Sequence, residues 1–247
     1  MSSKNKIKFF NSLKLRKFRI KHNLFLAEGE KIILELLRSE IKPRFIITSK
    51  ENFPVRPENF ELLKADYSVL KKISALKTAP EVIGVFEIPK TAFKFNEIKN
   101  RLNLFCEDIQ NPGNLGTIIR TADWFGIRYV FCSQNTADVY NPKVVQATMG
   151  AIASVKVIYV NKIDFFSKLP EDMLIYGTFT EGENIYETEL SKKGIVVIGN
   201  EGKGISEDIK PYITNKLSIP SFSANKNTES LNASVAAAIV CSEFMRK

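Results

Sequence analysis

Three short stretches of this sequence carry residue types able to do chemistry. The first is Asn111-Pro-Gly-Asn114-Leu-Gly-Thr-Ile-Ile-Arg120-Thr-Ala-Asp-Trp-Phe-Gly126, where a Pro-Gly turn opens a helix over Asn114–Phe125. A helix start leaves N–H groups unpaired and a positive dipole end, which suits an anion. Arg120 follows Asn114 by six residues, under two turns, and is expected to reach toward the same end of the sheet. The second stretch is Ile195-Val-Val-Ile198-Gly199-Asn200-Glu201-Gly202-Lys-Gly204-Ile-Ser206. A buried strand there runs into a glycine-rich turn, where the backbone can approach a ligand closely, and Ser206 is placed to cap a short helix. The third is Leu217-Ser-Ile219-Pro220, a polar loop to Glu229, and then Ser230-Leu231-Asn232-Ala-Ser-Val-Ala-Ala-Ala-Ile-Val-Cys241. Ser230 or Asn232 can cap that helix, and its alanines let another backbone come close.

Several chemistries are excluded by spacing. A dinucleotide-binding fingerprint needs G-x-G-x-x-G, whereas Gly113 and Gly116 are three apart with an arginine inside the helix. The glycine loop lacks the Lys-Ser/Thr pair of a triphosphate-binding loop. His22 is the single histidine and has no partner cluster, so no metal site is expected. Cys106, Cys132 and Cys241 read as small buried hydrophobes in a reducing compartment, with no disulfide spacing.

The elements that must position these stretches alternate. The spacing predicts strands at Leu102–Glu107, Tyr129–Cys132, Val155–Val160, Met173–Gly177, Ile195–Gly199 and Lys216–Ile219. Helices are predicted at Asn114–Phe125, Pro142–Gly150, Ile163–Leu169 and Ser230–Met245. Short apolar strands alternating with helices imply an α/β domain with a mostly parallel sheet and helices on both faces. Open sheets of this kind place ligands at the C-terminal ends of their strands, where all three stretches fall.

The first third reads as a separate, smaller α/β domain. It has an amphipathic piece over residues 4–20, an extended run at Phe25–Gly29 and a helix at Glu30–Arg38. Strands follow at Arg44–Thr48 and Val82–Glu87, with a short helix at Tyr67–Ser74 between them. The divisions expected are residues 1–92, a linker at 93–100, and 101–247. Charge follows the same division. Residues 1–100 carry 21 Lys/Arg against 11 Asp/Glu, and the remainder 15 against 16. Such asymmetry points to a polyanion partner for the N-terminal part, with Lys14, Arg16, Lys17, Arg19 and Lys21 as the contacts, or else to a solvated basic helix that keeps the protein soluble. No apolar run is long enough to span a membrane, and no secretory signal follows the basic start, so a cytoplasmic protein is expected.

In this order, the three stretches resemble the SpoU/TrmH branch of the SPOUT RNA methyltransferases. The family pattern stands here as NLGTIIRTADWFG, IGNEGKGIS and LSIP followed by SLNASVAAAI, over about residues 102–245. SLKLRKFR, LFLAEGEKII and PEVIGVFE resemble the substrate-binding domain that many members carry. The resemblance implies methyl transfer from S-adenosylmethionine to a ribose 2′-hydroxyl of RNA, with 23S ribosomal RNA favoured over tRNA by the basic N-terminal domain. A non-catalytic RNA-binding relative is the remaining alternative. The family fold carries a deep trefoil knot and forms a homodimer through the C-terminal domain.

The resemblance further implies Arg120 as the central catalytic residue, arranged with Asn114, Glu201, Ser230 and Asn232. It implies a cofactor site at Ile198, Gly199, Asn200, Gly202, Ile219, Pro220 and Leu231. An arginine rarely gives up its proton, so Arg120 suits phosphate binding and alkoxide stabilisation better than the role of base. The loop over 221–229 is a few residues longer than in typical members.

Overall fold

The structure, a computed structural model, describes residues 3–55, 59–223 and 230–246. Two compact units form, Met1–Lys90 with Asp138–Ser154, and Thr91–Ala137 with Val155–Lys247.

The first unit begins with α1 (Ser3–Ser12) and α2 (Arg16–His22), two helices where the amphipathic pattern suggested one. Leu13 explains the break: it is fully buried, and the turn after it lets Arg19 fold back onto the carbonyls of Leu13 and Lys14 at 2.9 and 2.8 Å. Then come β1 (Leu24–Glu28), α3 (Glu30–Leu37), β2 (Pro43–Thr48), β3 (Glu61–Lys64), α4 (Tyr67–Ile73) and β4 (Val82–Glu87). The sheet order is β1-β4-β2-β3, antiparallel except between β2 and β3. Phe10, Leu13, Leu26, Ile47, Leu70 and Ile83 close its core.

The second unit opens with α5 (Phe95–Ile98), inside the stretch read as a linker. Phe93 lies 4.9 Å from the Phe131 ring and 5.9 Å from that of Phe165. The segment is thus anchored by aromatics whose irregular spacing hid them among polar residues. The rest is β5 (Leu102–Cys106), α6 (Pro112–Trp124), β6 (Tyr129–Ser133), β7 (Lys156–Val160), α8 (Lys162–Ser167), β8 (Ile175–Phe179), β9 (Glu183–Asn184), β10 (Gly194–Ile198), β11 (Asn215–Ser218) and α9 (Ala233–Met245). Between β6 and β7 the chain contributes α7 (Pro142–Thr148) to the first unit, where the Tyr140 ring sits 4.8 Å from Phe25.

The seven strands pair in parallel, in the order β7-β6-β5-β10-β8-β11-β9. β5, β6 and β10 are buried along their whole length, as strands covered on both faces must be. Phe105, Phe131, Ile195 and Val197 are fully buried among them. Each such side chain stabilises the fold by about 1.5–3 kcal/mol relative to exposure.

Cys106 and Cys132 face each other across β5 and β6, and Cys241 is buried on α9. Burial pushes the Cys241 thiol up to about 12, and burial beside Cys106 raises that of Cys132 as well. Thiols held protonated at neutral pH are poor nucleophiles.

Candidate active site

Because the strands run parallel, their C-terminal ends share one edge. β10, β8 and β11 are neighbours, so Ile198, Phe179 and Ser218 end side by side. Two of these ends belong to the motif stretches. The strand between them, β8, carries no motif, and its Thr178 and Phe179 were missed. Thr178 Oγ1 donates to the Val197 carbonyl at 2.9 Å, tying β8 to β10 there.

Asn111 caps α6, its side chain accepting from Gly113 N at 2.8 Å with Pro112 in the first turn. That cap frees Asn114, which is 9% exposed, to turn inward. Asn114 Nδ2 donates to Glu201 Oε1 at 2.7 Å, and Asn114 Oδ1 accepts from Asn232 Nδ2 at 3.1 Å. Asn232 caps α9 by accepting from Ser234 N at 2.9 Å and from Ser234 Oγ at 2.7 Å. One polar chain, Glu201–Asn114–Asn232–Ser234, therefore joins the glycine loop to the starts of α6 and α9. Ser234 stood inside the third motif without an assigned role.

The structure brings together three of the five candidate catalytic residues. Arg120 is six residues along α6 from Asn114, which places it about 9 Å further and about 120° around the helix. It lines a groove of 410 Å³ with Thr117, Thr121, Trp124, Phe125 and Ala238. Among the described residues, no acceptor pairs with its exposed guanidinium. Ser230 is likewise exposed and outside the polar chain.

The glycine loop is a closed turn. Asn200 and Gly204 exchange backbone hydrogen bonds at 3.0 and 2.9 Å. A Cβ on Gly199 would lie 2.5 Å from the Gly204 carbonyl carbon. The Asn200 side chain donates to the Asp108 carbonyl at 2.7 Å and accepts from Gly202 N and Lys203 N, both at 3.0 Å. The Asn200 amide is thus taken up within the turn and by the Asp108 backbone. Ser206 caps no helix; it turns back to Glu107.

Gly202 has open space on its Cα, with nothing nearer than Asn200 Oδ1 at 3.8 Å. Ile198 is buried, Ile219 and Pro220 are half-buried, and Leu231 is exposed. Backbone and aliphatic groups without an acidic clamp fit the adenosyl and methionine parts of S-adenosylmethionine. Most of the loop expected to be long, residues 224–229, lies outside the described residues. Among the described residues, no cluster of His, Cys, Asp or Glu could hold a metal, and no helix is long and apolar enough to cross a membrane.

The basic surface of the first unit needs one correction. Arg16, Lys17 and Lys21 are exposed on or beside α2, and Lys14 is half-buried. Burial lowers the Lys14 pKa, partly offset by Glu28. Arg19 is only 2% exposed and gives its guanidinium to Asp138 at 2.6 Å as well as to the two carbonyls. It is part of the core and unavailable to RNA.

The chain matches the family model of the SpoU rRNA Methylase family over residues 101–242 and that of the MRM3-like substrate binding domain over residues 4–84. It is 30% identical over 244 residues to the 23S rRNA (guanosine(2553)-2'-O)-methyltransferase RlmP of Bacillus subtilis, spanning 97% of this chain and 96% of that one. A TrmH-family structure from Porphyromonas gingivalis superposes with a TM-score of 0.86 at 36% identity, over 99% of this chain and 98% of the other. The SpoU methyltransferase AviRb of Streptomyces viridochromogenes, solved with AdoMet, gives a TM-score of 0.84 over 99% of this chain and 97% of its own, and at 23% identity shares the fold.

Proposed function

Because this chain belongs to the SpoU rRNA Methylase family, we propose that it transfers a methyl group from S-adenosylmethionine to a ribose 2′-hydroxyl of 23S ribosomal RNA. The observation that carries this reading is the Glu201–Asn114–Asn232 chain, which draws one residue from each of the three motifs into a single site. The activity named for the Bacillus subtilis relative, which matches the chain over nearly its whole length, favours ribosomal RNA over tRNA.

S-adenosylmethionine, when bound, supplies the methyl group on a sulfonium. Ile198, Ile219, Pro220 and Leu231 offer apolar surface for it, and the turn at Gly199–Gly202 offers backbone groups. Arg120, without an internal partner, binds the phosphate beside the reacting ribose and stabilises charge developing on the 2′-oxygen. The 2′-hydroxyl proton leaves to that phosphate or to water. Asn114, Glu201 and Asn232 hold the loop and helix starts in fixed relation, so the site is organised before RNA arrives. Ser230, exposed beside Leu231, is placed for a substrate contact.

We assign the RNA grip to Lys14, Arg16, Lys17 and Lys21, at residues 1–92, with catalysis at 101–247. We also propose a trefoil knot and a homodimer. Support for the knot is the return of α9, after β11, to pack on β10 and α6. Support for the dimer is an apolar face on α6 and α9, where Trp124 is 84% exposed and Val235 48%. Trp124 is one turn from Arg120, so a second copy seated there borders the arginine. Three free, buried thiols suit a cytoplasmic setting.

Incubation with labelled S-adenosylmethionine and separated RNAs tests the function. Label is expected at one 2′-O-methyl nucleotide of 23S ribosomal RNA; incorporation into tRNA alone moves the substrate, and none into either with no cofactor binding leaves a binding protein. Charge reversal at Lys17 and Lys21 is expected to weaken RNA binding in a salt-dependent way. A second expectation concerns the turn. Gly199→Ala forces the Gly204 backbone aside and is expected to weaken S-adenosylmethionine binding about tenfold or more in calorimetric titration.

A further inference from the structure

Glu107 lies directly after β5, is 1% exposed, and belongs to none of the three motifs. Its carboxylate accepts three hydrogen bonds. Oε2 takes Ser206 N at 3.0 Å, and Oε1 takes Ser206 Oγ at 2.5 Å and Lys162 Nζ at 2.9 Å. Lys162, at the start of α8, also donates to Ser206 Oγ at 2.7 Å and pairs with Asp208 at 3.1 Å. Burial pulls the Lys162 pKa down, but its hydrogen bonds to Glu107 and Asp208 outweigh that and raise it. The ammonium is therefore charged and balances a carboxylate that would otherwise be buried alone.

The same turn is held at its other end by the adjacent residue. Glu107 N donates to the Ile198 carbonyl at 2.9 Å, extending the β5–β10 ladder one residue past β5. Asp108 takes a left-handed φ of 52°, and its carbonyl accepts from Asn200 Nδ2 at 2.7 Å. The span 199–206 is thus clamped where it leaves the sheet and again where it returns. Only its tip is open, and Glu201 at that tip meets Asn114.

We infer that Glu107 is a positioning residue for methyl transfer: with Lys162 and Ser206 it presets the glycine turn that receives S-adenosylmethionine and presents Glu201 to Asn114. A buried carboxylate could have been satisfied by Lys162 and water. Here it takes both donors of Ser206, two residues after the Asn200–Gly204 pair that closes the turn. The hydrogen bonds hold a backbone whose shape is the binding surface, so loosening them changes cofactor affinity before it changes the chemical step. The inference rests on the methyltransferase reading, and its test separates the two.

Glu107→Gln keeps the size of the side chain and removes the charge that holds Lys162. Ser206→Ala removes the hydroxyl and keeps the backbone contact, and serves if Glu107→Gln does not fold. Both are expected to raise the S-adenosylmethionine Kd and KM about tenfold, with kcat at saturating cofactor within about threefold of wild type and RNA affinity unchanged. The double variant is expected to lose less than the product of the single losses, since both act through one contact. Amide hydrogen exchange across 199–206, measured without cofactor, is expected to quicken in each variant. Wild-type Kd and exchange in folded Glu107→Gln, or in Ser206→Ala where Glu107→Gln fails to fold, overturn the inference. A fall in kcat with unchanged KM overturns it as well. If the wild-type protein itself binds no S-adenosylmethionine, the methyltransferase reading falls, and exchange alone decides whether Glu107 holds the turn.

Discussion

Arg120→Ala is expected to lower methyl transfer by about 10²–10³-fold while S-adenosylmethionine binding and thermal stability stay near wild type. The size follows from removing a preorganised charge from the place where negative charge develops. The retained stability follows from the structure: Arg120 is exposed and pairs with no acceptor among the described residues. Substitutions of that kind usually change stability by no more than about 0.5 kcal/mol. Arg120→Lys keeps the charge and loses the planar fork that matches a phosphate, so an intermediate rate is expected. Initial rates with ribosomal RNA, alongside a melting curve for each variant, measure both effects. A full wild-type rate in Arg120→Ala would remove the residue from the mechanism.

The second large effect is on stability, and it falls on an arginine of the opposite kind. Arg19→Ala is expected to destabilise the first unit by about 3–5 kcal/mol, because it leaves Asp138 with no counter-charge in a largely buried position. In a chain of this size that lowers the melting midpoint by on the order of 10 °C. The pair is not ideal. Arg19 Nε has no partner among the described residues, and an unsatisfied buried donor costs about 1–3 kcal/mol. Its net contribution to folding is therefore modest, even though deleting one member is costly. Asp138→Asn, which keeps an acceptor beside the guanidinium, is expected to lose less. Calorimetric melting of the variants checks the ranking, and an unchanged midpoint for Arg19→Ala would contradict it.

These two arginines mark how far the sequence could be read. The pattern around Arg120 was legible because its spacing from Asn114 sits in a motif, and the alternation of strands and helices was legible because β5, β6 and β10 are apolar throughout. Where Arg120 points was not legible. Sequence spacing alone does not say which side of α6 faces the sheet edge, and six residues set Arg120 about 120° around the helix from Asn114. Arg19 looked like its neighbours Arg16, Lys17 and Lys21, because its partner lies 119 residues away. Glu107 gave no signal for the same reason: an acid after a strand is common, and Ser206 is 99 residues distant. β3 (ELLK) and β9 (EN) are short and polar, lacking the apolar run that reveals a buried strand. The cap of α6 was off by three residues, since Asn111 and Asn114 both precede the apolar part of the helix and only packing decides between them.

The strand order of the parallel sheet also governs when the protein becomes competent. Asn114 meets Glu201 across 87 residues and Asn232 across 118. A nascent chain can form β5 and α6 early, but Asn114 has neither partner until the glycine turn and α9 have left the ribosome. Pairing between distant parallel strands is intrinsically slow, because loop-closure entropy is lost before the contacts that offset it form. Partly synthesised chains therefore carry the basic helices α1 and α2 well before they carry the completed Glu201–Asn114–Asn232 chain. The polar chain that joins the three motifs therefore closes late, when α9 docks.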